Sequence, residues 1–279
     1  LLHGRPRLQV SALLAGPVGW LVVAYLGSLA ILFAAAFWHL NDFTGEIEQG
    51  FSLDNFKTLF EEDVYRSITG RTVGVAALVT ITDALLAFPI AFYMAKLATP
   101  RVKALLVVAV LMPLWSSYLV KVYAWRTILS ENGILNWALN PIGLSAPEGD
   151  IFRLWLVMSY LWLPFMIIPV YAGLERIPNS LISASDDLGA RPFTTFRRVI
   201  LPLAFPAVVA GSIFTFSLTL GDFIAPTLVS STQFIGNVVY TNVGVANNLP
   251  FAAAFALVPV MVMILYLLLA RRLGAFDHI

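Results

Sequence analysis

Long apolar runs alternate with short polar segments along this chain. No Asp, Glu, Lys or Arg occurs between positions 8 and 41. Positions 72–95 hold a single charge, Asp83, and positions 104–120 hold none, the run continuing past Lys121 to Trp125. Three more runs, 154–174, 199–221 and 251–270, are free of charge throughout. A helix crosses a bilayer with roughly 20 apolar residues at about 1.5 Å rise each. The pattern therefore predicts an all-α polytopic membrane protein with six transmembrane helices, forming a single transmembrane domain over 1–279. The first run is too long for a signal peptide and shows no cleavage pattern, so it reads as a retained helix.

Composition agrees with the pattern. Hydrophobic residues make up 59% of the chain and charged residues 12%, against about 45–50% and about 25% in soluble domains. With no cysteine, disulfides and thiolate metal sites are excluded. His3, His39 and His278 are scattered, with no metal-ligand spacing. No Gly-Lys dipeptide occurs, so the phosphate-cradling P-loop is absent. No catalytic constellation stands out, and nothing suggests a nucleic-acid partner.

The net charge of +1 says little, but its distribution says more. Six spans put both termini on one side. That side and its loops hold Arg5, Arg7, Lys96, Arg101, Lys103, Arg176, Arg191, Arg197, Arg198, Arg271 and Arg272, which is 11 cations against 6 in the opposite segments. The positive-inside rule makes that side cytoplasmic. The outer segments hold ten acids, among them Asp42, Glu46, Glu131, Glu148 and Asp150. They make the outer face electronegative, which favours cations near an entrance.

In the first outer loop, Phe51, Phe56, Leu59 and Phe60 fall near one helical face, and Ser52 is placed to cap the helix. This is an interfacial helix on the lipid surface, a docking surface for an external partner, or both. Glu131-Asn-Gly133 and Asn140-Pro141 are turn signals, and 226–250 reads as an outer loop with partial helical content.

The segment 175–202 is polar, long and ordered, and it lies between the fourth and fifth spans. Leu181, Ala184, Ser185 and Leu188 follow the spacing of one helical face. Asn179 or Ser180 is positioned as N-cap after Pro178. Gly189 stands where a helix ends in a left-handed residue, and Pro192 suits the first position of a second helix. Phe193, Phe196 and Ile200 supply that helix with an apolar face, and Pro202 marks the return to the membrane. The prediction is a helical hairpin with a glycine corner, held at the cytoplasmic surface.

This segment resembles the EAA loop of importer permeases in the ATP-binding-cassette (ABC) superfamily. That motif reads Glu-Ala-Ala, three residues, Gly, nine residues, Ile, one residue, Leu-Pro. Here Ser183-Ala184-Ser185, Gly189, Val199 and Leu201-Pro202 stand at the same spacing. Ser183 replaces the Glu, and Asp186 and Asp187 are the nearest acids. Further segments resemble the spermidine/putrescine-type permeases: Phe51–Phe56, Met112–Trp125, Gly221–Pro226 and Ile235–Asn237. The resemblance covers nearly the whole chain. It implies a type I ABC importer permease fold in a bacterial inner membrane. It also implies a second permease subunit, an external substrate-binding protein, and two cytoplasmic ATPases that hold the ATP and Mg2+. The hairpin residues Ser183, Ala184, Ser185, Asp186, Asp187, Leu188, Gly189, Ala190, Pro192 and Phe193 would then fit a groove on an ATPase.

Within the spans, Asp83 reads either as a pathway acid or as a hydrogen-bonded structural acid. An ionised acid at that depth costs about 2.5–3.5 kcal/mol. Asp222, beside Phe223, lies at the outer end of the fifth span and reads as a pathway acid or a solvated helix-end acid. Trp115, Tyr118 and Tyr123 suit a cation path through cation–π contact, and Ser116 suits lining it. Trp125 fits an interfacial aromatic belt. Acids in apolar spans under an acidic outer face favour a cation such as a polyamine. The alternatives are an ABC permease for another small organic solute, a stand-alone secondary transporter or channel, and a membrane-embedded enzyme.

Overall fold

A computed structural model describes residues 6–41, 43–145 and 149–272, with side chains from residue 13 onward. Arg5, His3, His278, Asp42 and Glu148 lie outside the described residues, and the Arg7 side chain is not described. The chain divides into two compact units, Leu1–Arg66 with Val238–Val258, and Ser67–Asn237 with Pro259–Ile279.

Helix α1 (Pro6–Leu21) passes through a π-turn into α2 (Gly27–Ala35). A two-stranded hairpin follows, β1 (His39–Leu40) pairing antiparallel with β2 (Ile47–Glu48). It is a small addition to an otherwise helical chain. Next come α3 (Asp54–Glu61), α4 (Asp63–Phe92), α5 (Pro100–Trp115), α6 (Tyr118–Ile128) and α7 (Ile134–Leu139). The remainder is α8 (Asp150–Arg176), α9 (Asn179–Asp187), α10 (Pro192–Thr195), α11 (Leu201–Gly221), α12 (Ile224–Val229), α13 (Ile235–Gly244) and α14 (Leu249–Arg272). Among the described residues five helices are long and apolar enough to cross a membrane, or six when α5 and α6 count as one broken span.

That break corrects the sequence expectation of a continuous third span. The helices α5 and α6 meet at 93°. Ser116 and Ser117 between them are extended, with ψ of 148° and 134°. Hydropathy cannot register a break whose flanks are as apolar as a span. The cost is local, because a broken helix leaves carbonyls without donors in a medium that offers no water. Side chains answer it: the Ser116 hydroxyl donates to the Pro113 carbonyl at 2.9 Å, and the Lys121 ammonium donates to the same oxygen at 3.0 Å.

In the first unit, Phe37 collects the loop by ring contact with Phe33, Phe51 and Phe56. The Asn55 amide donates to the carbonyls of Ala36 and Trp38 at 3.1 and 2.7 Å. Ser52 accepts the Asp54 N–H at 3.0 Å, one position before the assigned cap. Of the aromatic face expected here, Leu59 is buried and Phe56 packs inward, whereas Phe51 and Phe60 are exposed.

The second unit is built on the antiparallel pair α8 and α11. A side chain at Gly173 would meet the Ala207 Cβ at 2.2 Å, and one at Gly211 would meet Met166 Sδ at 2.7 Å. The absence of side chains there lets the two backbones close, as small residues do between membrane helices. One buried cluster joins Val75 and Val79 of α4, Val122 of α6, Leu154, Val157, Met158 and Leu161 of α8 and Ala225 of α12. A second joins Ala87, Ala91 and Met94 to Met166, Val170 and Leu174 of α8 and Ala204 of α11. Trp125, expected in an interfacial belt, packs on the first cluster and on Tyr160 at 5.2 Å.

Candidate functional site

The hairpin forms as the sequence pattern predicts, with changes at both ends of it. Helix α9 ends at a left-handed Gly189, φ +76°. The Gly189 N–H donates to Asp186 O at 2.8 Å and the Ala190 N–H to Ser185 O at 3.1 Å. That paired closure satisfies carbonyls of the last turn. Pro192 opens α10, where a missing N–H costs nothing. The expected side-chain cap at Asn179 or Ser180 is absent. Asn179 Oδ1 instead accepts from Lys96 Nζ at 3.2 Å, and the same ammonium donates to Ile177 O at 2.5 Å. Lys103 pairs with Glu175 beside it. The π-turn that follows α4, Tyr93–Leu97, and the start of α5 thus clamp the hairpin base.

The two helices of the hairpin are laced by Ser185 and Thr195, whose hydroxyls lie 2.9 Å apart. Ile182, Phe196 and Ile200 turn inward, and Phe196 meets Phe88 edge-on at 5.5 Å. Phe193 does not share that face as expected. It is 71% exposed, and Leu188 is 88% exposed. Leu181 and Ala184 are exposed as well, so Leu181, Ala184 and Leu188 line an apolar outer strip of α9. Ser183, Asp186, Asp187 and Pro192 are exposed, and Ala190 is half-buried. Pro202 does not interrupt the chain. A π-turn over Phe196–Ile200 carries α10 directly into α11, giving one helical span Pro192–Gly221. The π-turn lies just before Pro202, where a regular helix would have to absorb its missing N–H and its ring.

At the far end of α11, Asp222 is half-buried and organises a small cavity. Its Oδ2 accepts from the Tyr118 hydroxyl. Its Oδ1 accepts the N–H groups of Ile224 and Ala225 at 2.9 and 3.2 Å, capping α12. All these donors are neutral, and Asp222 has no ion-pair partner among the described residues. Tyr118 stacks on Trp162 at 5.8 Å. Tyr118, Trp162, Ser217, Asp222 and Phe223 line a cavity of about 290 Å3.

The turn carrying Asp222 is held from behind by 235–237. Asn237 Nδ2 donates to Phe223 O at 3.1 Å and to Thr227 Oγ1 at 2.6 Å. A side chain at Gly236 would come within 2.8 Å of Asp222 O and 2.9 Å of Phe223 Cβ. Two segments separate in sequence, 221–226 and 235–237, are thus one structural piece. Sequence reasoning missed Trp162, which lies inside an apolar run with no local signal. The Gly236-Asn237 pair was visible, but its role was not.

The other expected pathway residues lie elsewhere. Trp115 is 87% exposed and Tyr123 50% exposed, both away from the cavity lining. Ser116 is spent on the helix break. Asp83 is 0% exposed, enclosed between α4 and α8. Its oxygens and the buried Ser159 hydroxyl have no aligned hydrogen-bond partner, although Ser159 sits close enough to act on the carboxyl.

The model of the family described as "Binding-protein-dependent transport system inner membrane component" matches residues 71–276. The chain is 47% identical over 288 residues to the "Inner membrane ABC transporter permease protein YdcU" of Escherichia coli (strain K12), across 98% of this chain and 92% of that one. It is 31% identical over 262 residues to the "Spermidine/putrescine transport system permease protein PotB" of the same organism, across 91% and 94%. Its fold matches a chain of a bacterial ABC transporter involved in the import of the acidic polysaccharide alginate, with TM-score 0.77 at 18% identity over 95% and 94% of the two chains. The fold is that of type I ABC importer permeases, and the apolar helices cross a bacterial inner membrane several times. This chain belongs to the family of binding-protein-dependent transport system inner membrane components, the permease subunits of ABC importers.

Proposed function

We propose that this chain imports a polyamine such as spermidine or putrescine as one of two permease subunits. Both termini and the 175–202 hairpin face the cytoplasm. Two cytoplasmic ATPases hold the ATP and Mg2+, and an external binding protein delivers the substrate. The observation that carries the substrate class is Asp222: an acid with no cationic partner among the described residues, walled by Tyr118, Trp162 and Phe223. A carboxylate flanked by aromatic faces suits an alkylammonium group, through charge and cation–π attraction together. The 31% identity to a spermidine/putrescine permease supports the same class.

Coupling falls to the hairpin. Its outward strip of Leu181, Ala184 and Leu188, with Phe193 beyond the Gly189 corner, seats in a groove on an ATPase as an amphipathic helix does. Ser183 stands on the exposed side, so the contact is mainly apolar rather than ionic at that position. Nucleotide chemistry belongs to the partner, since this sequence has no Gly-Lys dipeptide and hence no P-loop. Asp83 stands apart from the path and serves the α4–α8 contact.

The test is reconstitution of the chain with its partner permease, ATPases and binding protein in proteoliposomes. Labelled spermidine or putrescine should accumulate with ATP and binding protein, and not without either. Uptake independent of ATP would replace this reading with a stand-alone transporter. ATP-driven uptake of another solute, with none of polyamine, would keep the permease and discard the polyamine.

A further inference from the structure

A second cavity, of about 390 Å3, opens where the last turn of α6, the first turn of α8 and the end of α12 meet. Arg126, Ser130, Glu131, Arg153, Ser230 and Ser231 supply its polar lining. By the distribution of lysine and arginine it lies on the outer side, among segments rich in acids. Neither arginine forms an ion pair among the described residues. The Arg153 Nε is buried without a hydrogen-bond partner. A partly desolvated guanidinium with an unmet donor is an unpaid cost in the free subunit. An anion on its outer nitrogens would pair the guanidinium charge, which offsets its desolvation, while the buried Nε–H itself stays unpartnered.

The walls are fixed. Asp150 accepts the Ser231 N–H at 2.8 Å and the hydroxyls of Ser231 and Thr232, tying the end of α12 to the start of α8. That engages its Oδ2 with the wall, and its negative charge also lies near enough to Arg153 to attract it. Glu131 is the acid in the lining itself, against Arg126 and Arg153. Arginine suits such a place because its planar fork meets a carboxylate with two parallel bonds.

We infer that this recess receives an acidic side chain of the external binding protein. The inference rests on the importer reading above, and on the orientation that goes with it. The family is binding-protein-dependent by its own description, so a protein must dock on the outer surface. An outer face rich in acids disfavours acidic side chains over most of its area, and two arginines against one lining glutamate make this recess a place that admits one. One carboxylate admitted at Arg126 and Arg153 therefore sets the register of docking, which is what charge complementarity does best at protein interfaces.

The test uses the complete transporter in lipid nanodiscs and its cognate binding protein. Arg126→Gln with Arg153→Gln should raise the Kd for the binding protein at least tenfold and flatten its dependence on salt. ATPase activity without binding protein should be unchanged. Arg126→Glu, at the exposed edge, keeps Arg153 in place and should weaken docking at least as much. Wild-type Kd and salt dependence in both variants would overturn the inference. So would an unchanged Kd with a raised KM for uptake, which would assign the recess to a carboxylate on a free solute. Failure of the importer reading itself looks different: the wild-type complex would then show no stimulation by any binding protein.

Discussion

The Lys121 ammonium donates to the Pro113 carbonyl oxygen at 3.0 Å, across the 93° break between the two halves of the third span. Lysine inside a cation path argues against that path when it points into it. Here its charge is turned back onto the helix it follows. Replacing it by leucine leaves the carbonyl with the Ser116 hydroxyl as its one side-chain donor. Lys121→Leu should destabilise the subunit by about 1–3 kcal/mol. Thermal unfolding in detergent, followed beside Lys121→Arg, measures it; the arginine variant should retain most of the stability.

Asp222 carries two jobs that substitution can separate. Asparagine still accepts the N–H groups that cap α12 but has no charge. Asp222→Asn should therefore keep thermal stability within about 0.5 kcal/mol, the range of a substitution that breaks no feature, and lower polyamine uptake at least tenfold. Asp222→Ala should lose both, the cap being worth about 1 kcal/mol. Equal uptake in wild type and Asp222→Asn would remove the acid from the path.

Asp83 is enclosed, with oxygens that lack aligned donors. An amide of the same shape avoids burying a charge and can donate to Ser159. Asp83→Asn should leave uptake within twofold and stability equal or higher. A large loss of uptake with assembly intact would show that this carboxyl meets substrate in another state of the cycle.

Gly236 lies against the backbone of the Asp222 turn, where a methyl group would come within 2.8 Å of Asp222 O. Backbone cannot yield as a flexible side chain does. Gly236→Ala should cost about 1–3 kcal/mol, and it should reduce uptake by displacing Asp222 and Phe223. Uptake assays at equal membrane abundance separate the two effects.

Gly189 holds φ +76° at the hairpin corner. Valine there is strained by roughly 1–2 kcal/mol, and the strain falls on the exposed tip rather than on the core. Gly189→Val should leave the subunit inserted but weaken its association with the ATPases and abolish ATP-driven uptake. Normal ATPase co-purification and uptake would end the docking assignment.

The sequence by itself determined the helical membrane class, the positions of the apolar runs and the hairpin corner. These are local properties: apolar length sets a span, and a glycine followed by a proline sets an end and a start. Its spacing from Ser183 to Pro202 also carried the family. Tertiary structure alone decided three things. It broke the third span, because the donors from Ser116 and Lys121 that meet the Pro113 carbonyl are shown by contact and not by hydropathy. It separated the two acids, placing Asp222 in a cavity with Tyr118 and Trp162 while enclosing Asp83 against Ser159. It also turned Phe193 outward and Phe196 inward, because the direction of each ring depends on how the π-turn after α10 packs on Phe88 of α4. Periodicity along one helix shows which residues share a face, and only the neighbouring helices decide which face is covered.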